Sequence, residues 1–125
     1  MGQKYLIDTN CLIDAQMMRI PDKGLQFLAE VINEDFIISF VTYIEYLGYQ
    51  NVSKASQDFI SLASVIEIDK PTIDTCIMLR KEHKIKLPDA IIAATALVYD
   101  FVLISRNTSD FKHIENLHVI DPHNL

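Results

Sequence analysis

Residues 4–13 read Lys4-Tyr5-Leu6-Ile7-Asp8-Thr9-Asn10-Cys11-Leu12-Ile13. A short apolar run ends on an acid, and the acid opens a helical pattern in which Leu12, Ile13, Met17 and Met18 are apolar. An apolar run of this length is too short for a buried helix and predicts a buried strand that passes directly into a helix. The same order recurs along the chain. The spacing predicts strands over 36–40, 65–68, 101–105 and 118–120. It predicts helices over 9–18, 25–33, 42–50, 53–63, 71–82 and 88–99. Residues 21–24 are read as a break, and 122–125 as a loose tail. Short strands that alternate with helices give an α/β fold, since each crossover helix covers a face of the sheet. The expected architecture is a single three-layer domain over residues 1–125. Its central, mostly parallel sheet has about five short strands, with helices on both sides. No repeat, linker or low-complexity segment interrupts it.

Four acids stand beside these predicted junctions: Asp8, Glu45, Asp89 and Asp110. Asp8 closes the first strand. Glu45 follows the run Phe36-Ile37-Ile38-Ser39-Phe40. Asp89 follows Leu87-Pro88 and leads an apolar helix. Asp110 lies just past Phe101-Val102-Leu103-Ile104, in the polar stretch Ser105-Arg106-Asn107-Thr108-Ser109. Parallel strands place their carboxyl ends on one edge, where α/β folds hold ligands. Carboxylates gathered there repel one another unless a cation holds them. An all-oxygen donor set of this kind suits Mg²⁺ or Mn²⁺ rather than zinc, and such sites hydrolyse phosphodiesters. Thr9 and Asn10 beside Asp8, and Ser105 and Asn107 before Asp110, are candidates to orient the carboxylates.

Each acid also has a bland reading. Asp8 could only cap its helix. Thr42 and Glu45 have the spacing of a capping box. Asp89 could only serve the helix dipole, and Asp110 could be an ordinary turn residue. Other acids, Asp14 among them, fall on predicted helix faces or ends.

The bulk composition narrows the class. The chain has 125 residues, 50 % hydrophobic, which fits one folded domain rather than a disordered chain. No apolar run approaches the ~20 residues of a membrane helix, and the first residues lead straight into a strand rather than a signal peptide. Cys11 and Cys76 form no CxxC pair, so two free thiols in a reducing cytoplasm are expected. The net charge of −6 is unusual for a nucleic-acid binder, although a metal site would offset part of it. Arg80, Lys81, Lys84 and Lys86 crowd together just before Asp89. They form a candidate RNA-facing patch, or else a solvated helix end. His113, His118 and His123 share no helix face, so zinc is disfavoured. No GxSxG elbow and no Gly-rich phosphate loop occurs. Tyr43, Tyr46 and Tyr49 recur every three residues, a core stripe or else a partner groove with Leu12, Met17 and Met18.

The four blocks Lys4 to Ile13, the Glu45 helix, Leu87 to Ala96 and Leu103 to Phe111 together resemble the PIN-domain ribonucleases. The closest resemblance is to the VapC-type toxins of prokaryotic toxin–antitoxin pairs. It spans essentially the whole chain. The resemblance implies that Asp8, Glu45, Asp89 and Asp110 bind Mg²⁺ or Mn²⁺ and that Asn10, Ser105 and Asn107 are the neighbouring polar positions. It also implies an RNA substrate, a homodimer and inhibition by a cognate antitoxin. Ser105 departs mildly from the family's more frequent Thr but keeps a hydroxyl. Two rivals remain. One is a PIN-like module that binds without hydrolysis. The other is a receiver-type signalling domain, for which Asp69 would be the phosphoacceptor, although it lacks the adjacent acids and late-strand lysine of that class.

Overall fold

The computed structural model describes residues 2–48 and 51–125. The elements run β1 (Tyr5–Ile7), α1 (Thr9–Gln16), α2 (Asp22–Glu34), β2 (Ile37–Ser39), α3 (Phe40–Leu47), α4 (Lys54–Ile60), β3 (Ser64–Ile66), α5 (Lys70–Glu82), α6 (Leu87–Tyr99), β4 (Val102–Ile104), α7 (Thr108–Phe111), β5 (Val119–Ile120) and a closing 3₁₀ turn, Pro122–Asn124. The five strands are parallel, as the alternating pattern implies. They pair in two ladders, β1–β4–β5 and β2–β3, with β1 packed beside β2. Strand order therefore reverses at β1, which makes its carboxyl end the switch point of the sheet.

Successive strand residues face opposite layers, and the core divides accordingly. Leu6, Ile37 and Leu103 pack on one side with Leu79, Ala90, Ala93 and Phe111. Ile7, Ile38 and Ile104 pack on the other with Leu12, Leu28, Val31, Tyr46 and Ile60. Helices α5 to α7 thus cover one face and α1, α2 and α4 the other, while α3 gives Val41 to the first cluster and Tyr46 to the second; this is the three-layer arrangement expected. Helix α6 is buried over Ala90 and Ile92 to Ala96, with Leu87 and Tyr99 exposed at its ends.

Several local boundaries differ from the sequence expectation, each for a visible reason. Phe40 begins α3 rather than ending β2, because Ser39 caps that helix by accepting from the Val41 amide at 3.1 Å. Thr42 is consequently a buried position within α3, and the expected Thr42–Glu45 capping box does not form. The expected extension of this helix to residue 50, and Tyr49 of the tyrosine stripe, lie outside the described residues. Helix α2 starts at Asp22, so Gly24 lies within it rather than in a break. A Cβ at Gly24 would stand 1.7 Å from the Pro122 carbonyl oxygen, so only glycine permits this close approach. The expected loose tail at 122–125 is instead the 3₁₀ turn, capped by Asp121 and packed on α2. Strand β3 is displaced toward the N-terminus because Asp69 caps α5 through the Thr72 amide at 3.0 Å. Helix α7, one turn long, appears where an irregular loop was expected.

Candidate active site

The site grows from the carboxyl ends of β1 and β4. The Asp8 amide continues the ladder by donating to the Ile104 carbonyl at 2.9 Å. Asp8 and Ser105 therefore leave the sheet side by side. Asp8 is the N-cap of α1, its Oδ1 accepting from the Thr9 amide at 2.8 Å. Its Oδ2 accepts from Ser105 Oγ at 2.7 Å and from Asn10 Nδ2 at 3.3 Å. The capping role and a place in the cluster thus coexist. Ser105, fully buried, also accepts from the Asn107 amide at 3.0 Å.

Helix α3 brings Glu45 to the same edge. Thr9 Oγ1 donates to Glu45 Oε1 at 2.6 Å and lies 3.1 Å from Thr42 Oγ1. Glu45 is exposed, so this bond is what fixes one of its oxygens. Asp89, in the first turn of α6, is half-buried. Asp110, exposed on α7, accepts from Asn107 Nδ2 at 2.6 Å.

Electrostatics tie the four acids together. Burial raises the Asp89 carboxyl above its ordinary value, and the negative charges of Asp8, Asp110 and Glu45 raise it further, against an opposing pull from Lys86. Asp8 is also raised, first by burial and to a lesser degree by Glu45. The hydrogen bonds from Ser105 and Thr9 and the charge of Arg106 oppose that rise. The same region pushes the Cys11 thiol up to about 12, through burial and then the Asp8 charge. Cys11 and Cys76 are both free and buried.

Asp8, Glu45 and Asp89 line an open cleft of about 390 Å³, together with Thr9, Asn10, Ile13, Asp14, Arg19 and Arg106. Asp110 does not line it. Among the described residues, no three His, Cys, Asp or Glu side chains are drawn together as ready ligands of one ion. The donor chemistry nevertheless fits a hard divalent cation. It consists of carboxylate oxygens whose mutual repulsion is felt at Asp89.

The basic cluster lies elsewhere. Arg80 and Lys81 end α5, Lys84 follows it, and Lys86 is the N-cap of α6. All four are exposed and none lines the cleft; only Lys86 is felt at Asp89. The cations that do line the cleft, Arg19 and Arg106, were not singled out by the sequence. Nor was Asp14, read as a helix-face acid: it is 2 % exposed and paired with Arg106. Burial of a charged residue at a helix position leaves no local signature.

Parallel strands with carboxylates gathered at the switch point define an α/β protein with an acidic cleft on its sheet edge. The chain belongs to the PIN domain family, whose model matches residues 5–117; this replaces the receiver-domain alternative. No curated protein matches the sequence. Solved structures do. A chain of a toxin–antitoxin complex from Klebsiella pneumoniae is 33 % identical, with a TM-score of 0.78, covering 95 % of this chain and 98 % of that one. A chain of VapBC-1 from nontypeable Haemophilus influenzae is 25 % identical, with a TM-score of 0.77 and coverage of 96 % and 98 %. A chain of DNA-bound VapBC from Salmonella typhimurium shares the fold at 21 % identity, with a TM-score of 0.78 and coverage of 97 % and 99 %. Among the described residues, no helix is long and apolar enough to cross a membrane.

Proposed function

We propose that this chain is a metal-dependent endoribonuclease, the toxin of a toxin–antitoxin pair. The observation that carries the reading is the shared negative field of Asp8, Glu45, Asp89 and Asp110 at the switch-point edge of a PIN-family sheet. In this reading the four acids hold Mg²⁺ or Mn²⁺. A bound divalent ion would polarise the scissile phosphate and lower the pKa of an attacking water. The chain's own groups prepare the ligands. Ser105 and the Thr9 amide each hold one oxygen of Asp8, Thr9 Oγ1 holds Glu45, and Asn107 holds Asp110. Asp8, Glu45 and Asp110 thereby keep an orientation at little entropic cost while retaining free lone pairs. Water as the nucleophile leaves 3′-hydroxyl and 5′-phosphate ends. Single-stranded or loop RNA suits an open cleft better than duplex, because splayed bases are accessible to a protein surface. A cognate antitoxin as partner accords with the toxin–antitoxin complexes of similar fold. A homodimer and a cytoplasmic setting complete the proposal.

A second reading is a PIN-like binding module that uses the same cleft without hydrolysis. One experiment separates the two. The purified protein is given single-stranded RNA with Mg²⁺ or Mn²⁺, with EDTA, and as the Asp8→Asn variant. Cleavage should require the metal and fall by roughly 100-fold or more in the variant, the scale on which positioned catalytic groups act. RNA bound but never cut would support the binding module. Cleavage undiminished by EDTA and by Asp8→Asn would reject the metal mechanism.

A further inference from the structure

Asp14 is a buried charge that the proposed nuclease chemistry does not use. Its Oδ2 accepts from Arg106 Nη1 at 2.8 Å and lies 3.0 Å from His123 Nε2, while its Oδ1 lies 3.9 Å from Arg19 Nη1. A carboxylate withdrawn from water persists only when it is paired, and here three segments of the chain supply the partners. His123 comes from the closing 3₁₀ turn, where Asp121 Oδ1 faces its Nδ1 at 2.7 Å. The arginines are anchored at one end and open at the other. Their side chains remain 54 % and 58 % exposed, and both line the cleft beside Asp8, Glu45 and Asp89. The Arg106 amide donates to Asn10 Oδ1 at 3.1 Å, and Asn10 in turn donates to Asp8, so the backbone of Arg106 is tied to the acid cluster through one side chain.

We propose that Arg106, oriented by Asp14, is the phosphate-binding residue of the cleft. It would take a backbone phosphate of the RNA next to the one that is cut, with Arg19 as the outer contact. The inference rests on the nuclease reading. A guanidinium has five N–H donors in a planar fork that matches phosphate oxygens. One of these nitrogens is committed to Asp14, and the others remain for a ligand. An acidic cleft that accepts a polyanion needs such a cation, because metal ions neutralise only the phosphate at the centre. Asp14 is then a positioning residue: it holds the fork still and touches no substrate.

The test measures binding of a fluorescent single-stranded RNA across a salt series in EDTA, which withholds the metal that cleavage requires. Arg106→Gln should weaken binding about tenfold, the scale of one charged hydrogen bond. It should also flatten the log–log salt dependence by about 0.7, the value for one phosphate on a single strand. Arg106→Lys should keep the slope and recover only part of the affinity. Asp14→Asn should weaken binding in the wild-type background and add nothing in the Arg106→Gln background, the signature of an effect exerted through Arg106. If Asp14→Asn does not fold, the exposed Arg106 variants decide alone. Unchanged affinity and slope in Arg106→Gln, with a wild type that cuts RNA, would overturn the assignment and leave the nuclease reading standing. A wild type that neither binds nor cuts RNA would overturn both.

Discussion

At the residue scale, the site depends on one buried hydroxyl. Ser105 Oγ donates to Asp8 and accepts from the Asn107 amide, so Ser105→Ala leaves that amide without its acceptor and takes from Asp8 Oδ2 the shorter of its two bonds. Leaving buried polar groups unpaired costs about 1–3 kcal/mol. The alanine variant should lose stability in that range in urea denaturation, whereas Thr, which keeps the hydroxyl, should lose less. Asp89 behaves in the opposite sense. Burial and the charges of Asp8, Asp110 and Glu45 raise its folded pKa. A carboxyl raised on folding contributes stability below its unfolded pKa of about 3.9 and loses that contribution as pH rises through the folded value. At neutral pH the ionised Asp89 is therefore a penalty in the metal-free protein. Asp89→Asn should melt higher than wild type in EDTA at pH 7, and the gain should shrink as pH falls through the raised pKa. With Mg²⁺ at about ten times its dissociation constant, wild type should gain about 1.4 kcal/mol, and the variant much less. If Asp89 served only the helix dipole, its loss would instead cost about 0.3–1 kcal/mol in EDTA; thermal melts distinguish the two signs.

At the scale of elements, what was legible in the sequence is what periodicity encodes. The strand–acid–helix grammar at Tyr5 to Leu12 and at Leu103 to Asp110 is local, and it correctly implied parallel strands and three layers. Two of the failures were decided by contacts distant in sequence, and one by competition between neighbouring caps. Gly24 looks like a breaker until the Pro122 carbonyl is seen against it. The segment 122–125 looks like a tail until His123 is seen against Asp14. Thr42 looks like a cap, but Ser39 lies closer to the strand end and takes the role. The close approach at Gly24 gives a prediction. Helix propensity alone favours alanine over glycine by about 1 kcal/mol. In Gly24→Ala, however, the new methyl meets backbone, which cannot swing aside, and overpacking of that kind costs about 1–3 kcal/mol. The variant should therefore melt lower than wild type, and the closing turn should become more sensitive to carboxypeptidase. A higher melting temperature would show that the turn yields freely.

At the scale of the whole molecule, charge is unevenly distributed. The chain carries a net −6 with eleven Lys and Arg, and four of those cations, Arg80, Lys81, Lys84 and Lys86, stand outside the acidic cleft. If RNA runs past Asp89 onto this segment, Lys84→Gln with Lys86→Gln should flatten the salt dependence of binding by about 0.7 for each phosphate that is no longer neutralised. An unchanged slope would return the segment to a solvated helix end. The parallel pairing of β1 with β4 has a kinetic consequence as well. The Asp8–Ser105 bond joins positions 97 apart in the sequence, whereas the bonds that Thr9 and Asn10 give Asp8 are local. Closing so long a loop is slow and comes late in folding. During synthesis, which proceeds from the N-terminus, a nascent chain that has not yet reached β4 has Asp8 with its local Thr9 and Asn10 bonds but without the Ser105 hydroxyl. On the nuclease reading, such a chain lacks both Ser105 and Asp110 and stays inactive toward RNA until the β1–β4 pairing closes.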